Sequence, residues 1–441
     1  MNTNQYRALD RQYLWHPYSR HSAIQENEFP IIVRGKGIYL FDNEGRRYLD
    51  AISSWWACNL GHGHPHLVQA LTDQAPRLQH SILGNLSHPG AIELAERLCR
   101  LFPDKRRRVF FCGDGSSAVE AALKIAVQYW HNLGQPQRHR FVAFSNAYHG
   151  DTLGAVAVGY LPEFHAPFQS LLFPVFRVEA PFCGLCARGL QPDSCGQACL
   201  APMAAVLSSH AAEIAAVIIE PLCQGAAGMR VYMPECLTKI AALCREHGVL
   251  LIDDEIAMGF GRTGAMFACE HAGVDPDIVC LGKGLAGGYL PMSAAIVRAE
   301  LYETFADKPA DHTFYHGHTF AGNPLAAAVA LETLRIYAED RIVQYARKAG
   351  EQLQAAMAPA RDLSGVHNVR GLGMLAAVDL VDCNGQPDIA RARRIAAWLL
   401  KQGVLIRPLG SVVYLMPPLI TPEAALVQLA GQLRQAIAEN V

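Results

Sequence analysis

Short apolar runs, each followed by a helical stretch, constrain this chain more than anything else in it. Residues 109–112, 141–144, 217–220, 249–253 and 278–281 are such runs. A strand with one face in water alternates polar and apolar residues, whereas a strand buried on both faces does not. After 109–112, the residues Val119, Leu123, Ala126, Val127 and Trp130 fall on one face of a helix. Between Glu220 and Val249 a second helix opens near Pro234 and is closed by Gly248. Buried strands alternating with helices specify an α/β domain, its sheet mostly parallel and covered by helices on both faces. The 441 residues, 51% of them hydrophobic, suffice for a large core and for two or three domains.

Both ends of the chain read differently. Three short apolar runs near the N-terminus are split by Gly35-Lys36-Gly37 and Asn43-Glu44-Gly45, as in an antiparallel meander. Near the C-terminus a helix is expected over 387–402, with Pro387 at its start. Runs 404–407 and 412–415 then flank a turn, Pro408-Leu409-Gly410-Ser411. The expected organisation is an N-terminal segment, 1–59, and a large α/β domain, 60–332, carrying a cysteine-rich insert at 181–200. A small α+β domain follows over 333–441. A net charge of −2 argues against nucleic acid or an anionic membrane as partner. No uncharged apolar run reaches the roughly 18 residues of a membrane span, and the first residues lack a secretory pattern. A cytoplasmic protein is expected. Cys99, Cys112, Cys244 and Cys280 stand singly in apolar surroundings, as small buried hydrophobes do.

Chemistry concentrates between Leu250 and Gly288. Asp254 closes one apolar run, and Lys283 follows another between Gly282 and Gly284. Strand alternation puts Asp254 on one face, and Asp253 and Glu255 on the other. A lysine with glycine neighbours and an acid nearby suits an amine that must reach an aldehyde, the Schiff base by which pyridoxal phosphate is held. A carboxylate near a pyridine nitrogen keeps that nitrogen protonated. Gly113-Asp114-Gly115-Ser116-Ser117-Ala118 joins a strand to a helix, where free N–H groups and the helix dipole bind anions. A dinucleotide site needs an acid at the end of the next strand, and that strand ends Phe144-Ser145-Asn146. A phosphate cup fits better than NAD; an ordinary Gly-rich turn remains the alternative. Tyr148, in a loop after a strand, is positioned to stack on a flat ring. The two histidines of His316-Gly317-His318-Thr319 lack metal-ligand spacing, and the Thr319 hydroxyl suits a phosphate. Arg407 offers a planar fork for a carboxylate. Cys183, Cys186, Cys195 and Cys199 resemble a four-cysteine zinc knuckle, but the second pair has three intervening residues, so free thiols in a surface loop are the expected reading and a structural metal the alternative.

Together these residues resemble the class III pyridoxal-phosphate aminotransferases, which have fold type I. The resemblance rests on the stretch from Asp254 to Gly264, on Gly282-Lys283-Gly284 and on Tyr148-His149-Gly150-Asp151. Trp15-His16-Pro17-Tyr18, Ser53-Ser54-Trp55-Trp56, residues 267–271 and Arg407-Pro408-Leu409-Gly410 add to it. It implies that Lys283 forms the Schiff base and shuttles the proton, with Tyr18 beside it in the catalytic pocket. It implies that Asp254 pairs with the pyridine nitrogen and Tyr148 packs on the ring. Gly115 and Ser116 then bind the phosphate, joined by Thr319 from the other subunit of a homodimer. Trp55, Gly317 and Arg407 take the substrate, Arg407 through its carboxylate. The motifs are nearest to members that aminate 8-amino-7-oxononanoate in biotin synthesis with S-adenosylmethionine as donor. His318 stands where those members usually have proline and matches members that use lysine; ornithine and γ-aminobutyrate are the other donors the family suggests.

Overall fold

The computed structural model describes the whole chain except residues 27, 187, 192, 193, 309 and 441. Strands β1 (Ile32–Lys36), β2 (Tyr39–Asp42) and β3 (Arg47–Asp50) form the expected antiparallel meander. The large sheet contains β4 (Arg107–Cys112), β5 (Arg140–Phe144), β6 (Phe176–Val178) and β7 (Ile214–Ile219). A two-stranded ribbon of β8 (Cys223–Gln224) and β9 (Arg230–Val231) stands apart. The large sheet is completed by β10 (Leu250–Asp254), β11 (Ile278–Leu281) and β12 (Ser293–Arg298), in the order β4-β12-β11-β10-β7-β5-β6.

Only β12 runs against its neighbours in this sheet. All residues of β7, β10 and β11 are buried, which is why β7 and β11 read as unbroken apolar runs and β10 as one that is broken only by the acids at its end. The small-residue strand β12 carries no comparable signal and was not anticipated. Six strands pointing one way bring their C-terminal ends to a single edge, where ligands gather in α/β sheets. In the register Asp254 lies beside Cys280, so Lys283, three residues further on, emerges next to Asp254 at that edge.

The chain ends come together. After β13 (Val366–Gly371) and β14 (Ala376–Leu380), the short β15 (Val404–Leu405) pairs parallel with β3, giving the sheet β1-β2-β3-β15. β16 (Val412–Leu415) instead joins β13 and β14. The two runs flanking Pro408 therefore serve different sheets. Leu49, Leu353, Val378, Leu399, Val404, Val413 and Leu433 form one shared core.

Two helix starts differ from expectation. The helix after β4 begins at Gly115, because the Asp114 side chain caps it by accepting from Ser117 N (2.9 Å). The C-terminal helix spans Ile389–Lys401 and not 387–402. Asp388 is its N-cap, accepting from Arg391 N (2.8 Å), which leaves Pro387 outside. Among the described residues, no helix is long and apolar enough to cross a membrane.

Candidate active site

Loops at the C-terminal ends of β4, β5, β7, β10 and β11 enclose a cavity of about 220 Å³. One end of it is the start of the helix Gly115–Asn132, whose first N–H groups point outward. A Cβ on Gly115 would sit 3.0 Å from Ile256, and one on Gly150 (φ 123) would sit 2.0 Å from Ser116 Oγ. Glycine is thus required for the two loops to close on each other. Ser116 Oγ accepts from Asp151 N (3.1 Å), fixing that approach.

Acids line the floor. Asp254 is buried, with Oδ2 2.7 Å from His149 Nδ1, while Oδ1 accepts from Ile256 N (3.1 Å). His149 Nε2 is buried without a hydrogen-bond partner among the described residues. Glu220 accepts from Tyr148 N (2.9 Å) and Gly225 N (2.8 Å), and burial pushes its carboxyl up to about 7. Burial likewise pushes the Lys283 ammonium below the usual lysine range, against the pull of Asp254 and Glu220. The Lys283 Nζ lies 5.0 Å from the Trp56 ring centroid. Its backbone holds a left-handed φ of 40°, and a Cβ on Gly284 would lie 2.5 Å from Asn59 Nδ2.

Aromatic groups form the outer wall. Tyr148 donates to Asp151 Oδ2 (3.0 Å), and Tyr18 donates to Asp151 Oδ1. Burial first, then the bond to Asp151, raises the Tyr18 phenol to about 12. The Tyr18 ring meets Trp55 edge-on at 5.8 Å. The Arg407 guanidinium lies 4.3 Å from the Trp55 ring centroid and donates to Tyr18 O (2.9 Å). Ser53, Ser54, Trp55 and Trp56 have φ of 49°, 45°, 69° and 71°, a left-handed helical turn without glycine. Each such residue costs roughly 1–2 kcal/mol, so the surroundings must over-determine the turn.

The expected residues do not all meet. Lys283, Asp254, Tyr148, Gly115 and Ser116 line the cavity, and Tyr18, Trp55 and Arg407 stand together at its outer wall. Gly317 and Thr319 lie on an exposed loop and do not line it. Cys183 and Cys199 sit against Cys236, which draws both thiols down to about 7. The four cysteines of the insert are not gathered into one ligand set. The trio with ligand atoms within 4.8 Å of one another, among the described residues, is Asp253, Glu255 and Cys269. Sequence reasoning gave no site role to His149, Glu220, Trp56 or Asp151. The strand-end position of Glu220 and the adjacency of His149 and Asp151 to Tyr148 were the available signals.

Asp253 and Glu255 face away from the cavity, as alternation requires, and both are fully buried. Asp253 stands beside Glu255 and Cys269, their ligand atoms within 4.8 Å of one another. Burial, then the charges of Glu255 and Asp254, push Asp253 well above its usual range, and burial raises Glu255 to about 7. Acids raised in this way favour the fold below about pH 4, and that contribution is lost as pH rises through their folded values. Asp253→Asn is expected to raise Tm by a few degrees at pH 8 and to change it little at pH 4. Equal shifts at both pH values in a melting series would contradict this.

Residues 21–437 match the family model described as Aminotransferase class-III. The chain belongs to the class-III aminotransferases. An adenosylmethionine-8-amino-7-oxononanoate aminotransferase of Nitratidesulfovibrio vulgaris is 42% identical to this aminotransferase, over 99% of the chain and 82% of the relative. One of the same name from Geobacter sulfurreducens is 41% identical, over 96% and 95%. The crystal structure of the Methanocaldococcus jannaschii enzyme of that name superposes with a TM-score of 0.94 at 35% identity, covering all of both chains. An amine transaminase from an uncultivated Pseudomonas species, solved in its PLP-bound form, gives 0.93 at 34% identity, over 97% and 99%. The expected α/β architecture of fold type I is thus the fold of this aminotransferase, and pyridoxal phosphate is its cofactor. The residues present fit that cofactor. The helix start suits the phosphate, buried Asp254 backed by His149 suits the pyridine nitrogen, and desolvated Lys283 suits the aldehyde.

Proposed function

We propose that this aminotransferase moves the amino group of S-adenosylmethionine to the ketone of 8-amino-7-oxononanoate, giving 7,8-diaminononanoate, in a ping-pong cycle in the cytoplasm. The observation that carries the reading is the joining of a Lys283–Asp254 cavity to an outer wall of Tyr18, Trp55 and Arg407. The printed names of relatives up to 43% identical support the substrate pair. Bound pyridoxal phosphate supplies an aldehyde that takes up the amino group and a ring that stores the electrons of the broken Cα–H bond.

The chain's residues do the rest. Lys283 Nζ would hold the aldehyde end of the cofactor, and the same amine is placed to take and return the substrate's Cα proton. Its lowered ammonium pKa makes the neutral base accessible. Asp254 would keep a proton on the ring nitrogen, and His149 orients that carboxylate. Tyr148 packs against the ring. Gly115 and Ser116 bind the phosphate together with Thr319 of the partner subunit in a homodimer. The exposed loop around Thr319 is free to reach a neighbouring copy. Tyr18 keeps its phenol proton, raised to about 12, and donates within the pocket. Trp55 lines the substrate's path, and Arg407 takes its carboxylate as a bidentate pair.

His316-Gly317-His318 favours lysine as a second donor to consider; the Lys124 Nζ lies 3.1 Å from His316 Nδ1, so a cation already occupies that side of the loop. A donor screen decides. S-adenosylmethionine should bleach the visible band of the holoenzyme, while lysine, ornithine and γ-aminobutyrate leave it unchanged. Bleaching by lysine alone would overturn the assigned donor.

A further inference from the structure

The left-handed turn Ser53–Trp56 carries both tryptophans of the site, and its hydrogen bonds converge on two buried charged side chains. Arg262 Nη2 donates to Ser53 Oγ (3.3 Å) and Asn59 Oδ1 (2.8 Å), while Nη1 is committed to the carbonyls of Met374 (3.1 Å) and Pro417 (2.7 Å). On the other side stands Asp50, fully buried at the end of β3. It accepts from Ser54 Oγ (2.7 Å) and Ile52 N (3.3 Å), and its Oδ2 lies 2.9 Å from His62 Nε2. Its carboxylate thus grips the residue directly before Trp55. Trp56 has an anchor of its own, Nε1 donating to the Tyr414 hydroxyl (3.1 Å). Trp55 has none beyond its ring contacts with Tyr18 and Arg407 among the described residues.

We propose that Asp50, paired with His62, is a positioning residue for substrate selection. It locks Ser54 in the left-handed conformation and so sets the face that Trp55 turns toward Arg407. The inference rests on the reading that Trp55 and Arg407 take the keto substrate. The clamp is ionic at neutral pH. Burial opposes the His62 imidazolium, but the bonds to Asp50 and Cys58 raise it to about 9. Burial also opposes the Asp50 carboxylate, which His62 and Ser54 nonetheless hold below its usual range.

Because the Trp56 side chain is anchored on Tyr414 and Lys283 lies on the separate loop after β11, loosening Ser54 should affect acceptor binding and spare the chemical step. Ser54→Ala removes one hydroxyl and leaves the Asp50–His62 pair intact; Asp50→Asn removes the charge. In the holoenzyme each should raise KM for 8-amino-7-oxononanoate by about tenfold or more, the value of one hydrogen bond to a charged group. The kcat and the affinity for pyridoxal phosphate should stay within about threefold. The near-ultraviolet circular dichroism of tryptophan should weaken in both variants. Tyr48→Phe, which removes the bond from Tyr48 to Asp42 Oδ2 (2.9 Å) on the same strand, should change none of these. If Asp50→Asn does not fold, Ser54→Ala carries the test. Unchanged KM and an unchanged tryptophan signal in Ser54→Ala would overturn the clamp. A wild-type enzyme that never aminates this acceptor overturns the substrate assignment alone, and the tryptophan signal then decides the clamp.

Discussion

Lys283→Ala is expected to lower kcat by at least about 10⁴-fold, because in the proposed function this one side chain both holds the cofactor and moves the Cα proton. Neighbouring groups cannot take over. Glu220 is occupied by Tyr148 N and Gly225 N, and Asp254 by Ile256 N and His149. The variant should still retain pyridoxal phosphate, since the cup at Gly115 and Ser116 and the carboxylate of Asp254 are untouched. A small external amine such as methylamine should restore part of the rate. A variant that kept more than a few per cent of wild-type turnover without added amine would show that the proton moves elsewhere. Single-turnover kinetics on the purified variant make the measurement.

Asp254→Asn carries the second large effect, a loss of about 10²–10³-fold in kcat, the size of deleting one preorganised electrostatic contact. The amide is the same shape as the carboxylate and can still meet His149, so the fold should survive. It cannot hold a proton on the ring nitrogen. The sign of the Lys283 shift excludes a competing explanation. The Asp254 charge raises the Lys283 ammonium, against the lowering by burial. Removing that charge lowers the ammonium further and makes the amine a more available base. A rate loss in Asp254→Asn therefore cannot come from a more heavily protonated lysine. Unchanged kcat with weakened cofactor binding would instead make Asp254 a binding group only.

Some of this was legible in the chain because local physics decided it. Strands buried on both faces, such as β7 and β11, are apolar throughout, and β10 is apolar until the acids at its C-terminal end. The acid and the lysine that end β10 and β11 then share a sheet edge by register alone. The alternation that sends Asp253 and Glu255 away from Asp254 is equally local. What escaped depends on distant partners. β12 is built of small residues and is recognisable only between β4 and β11. The role of His149 needs Asp254, 105 residues away. The left-handed turn at Ser53–Trp56 contains no glycine to announce it and is fixed by Arg262, 209 residues from Ser53. Within the insert, Cys183 and Cys199 turn to Cys236 on the helix Pro234–Glu246. No spacing within the insert could have revealed that partner.

The central claim is that Lys283 is the amine that carries the cofactor. Reducing the holoenzyme with borohydride fixes the cofactor covalently to whichever amine holds it, and peptide mass mapping then names that residue. One pyridoxyl phosphate adduct per chain is expected, on the peptide containing Gly282-Lys283-Gly284. An adduct on any other lysine, or none on a protein that binds pyridoxal phosphate, would contradict it.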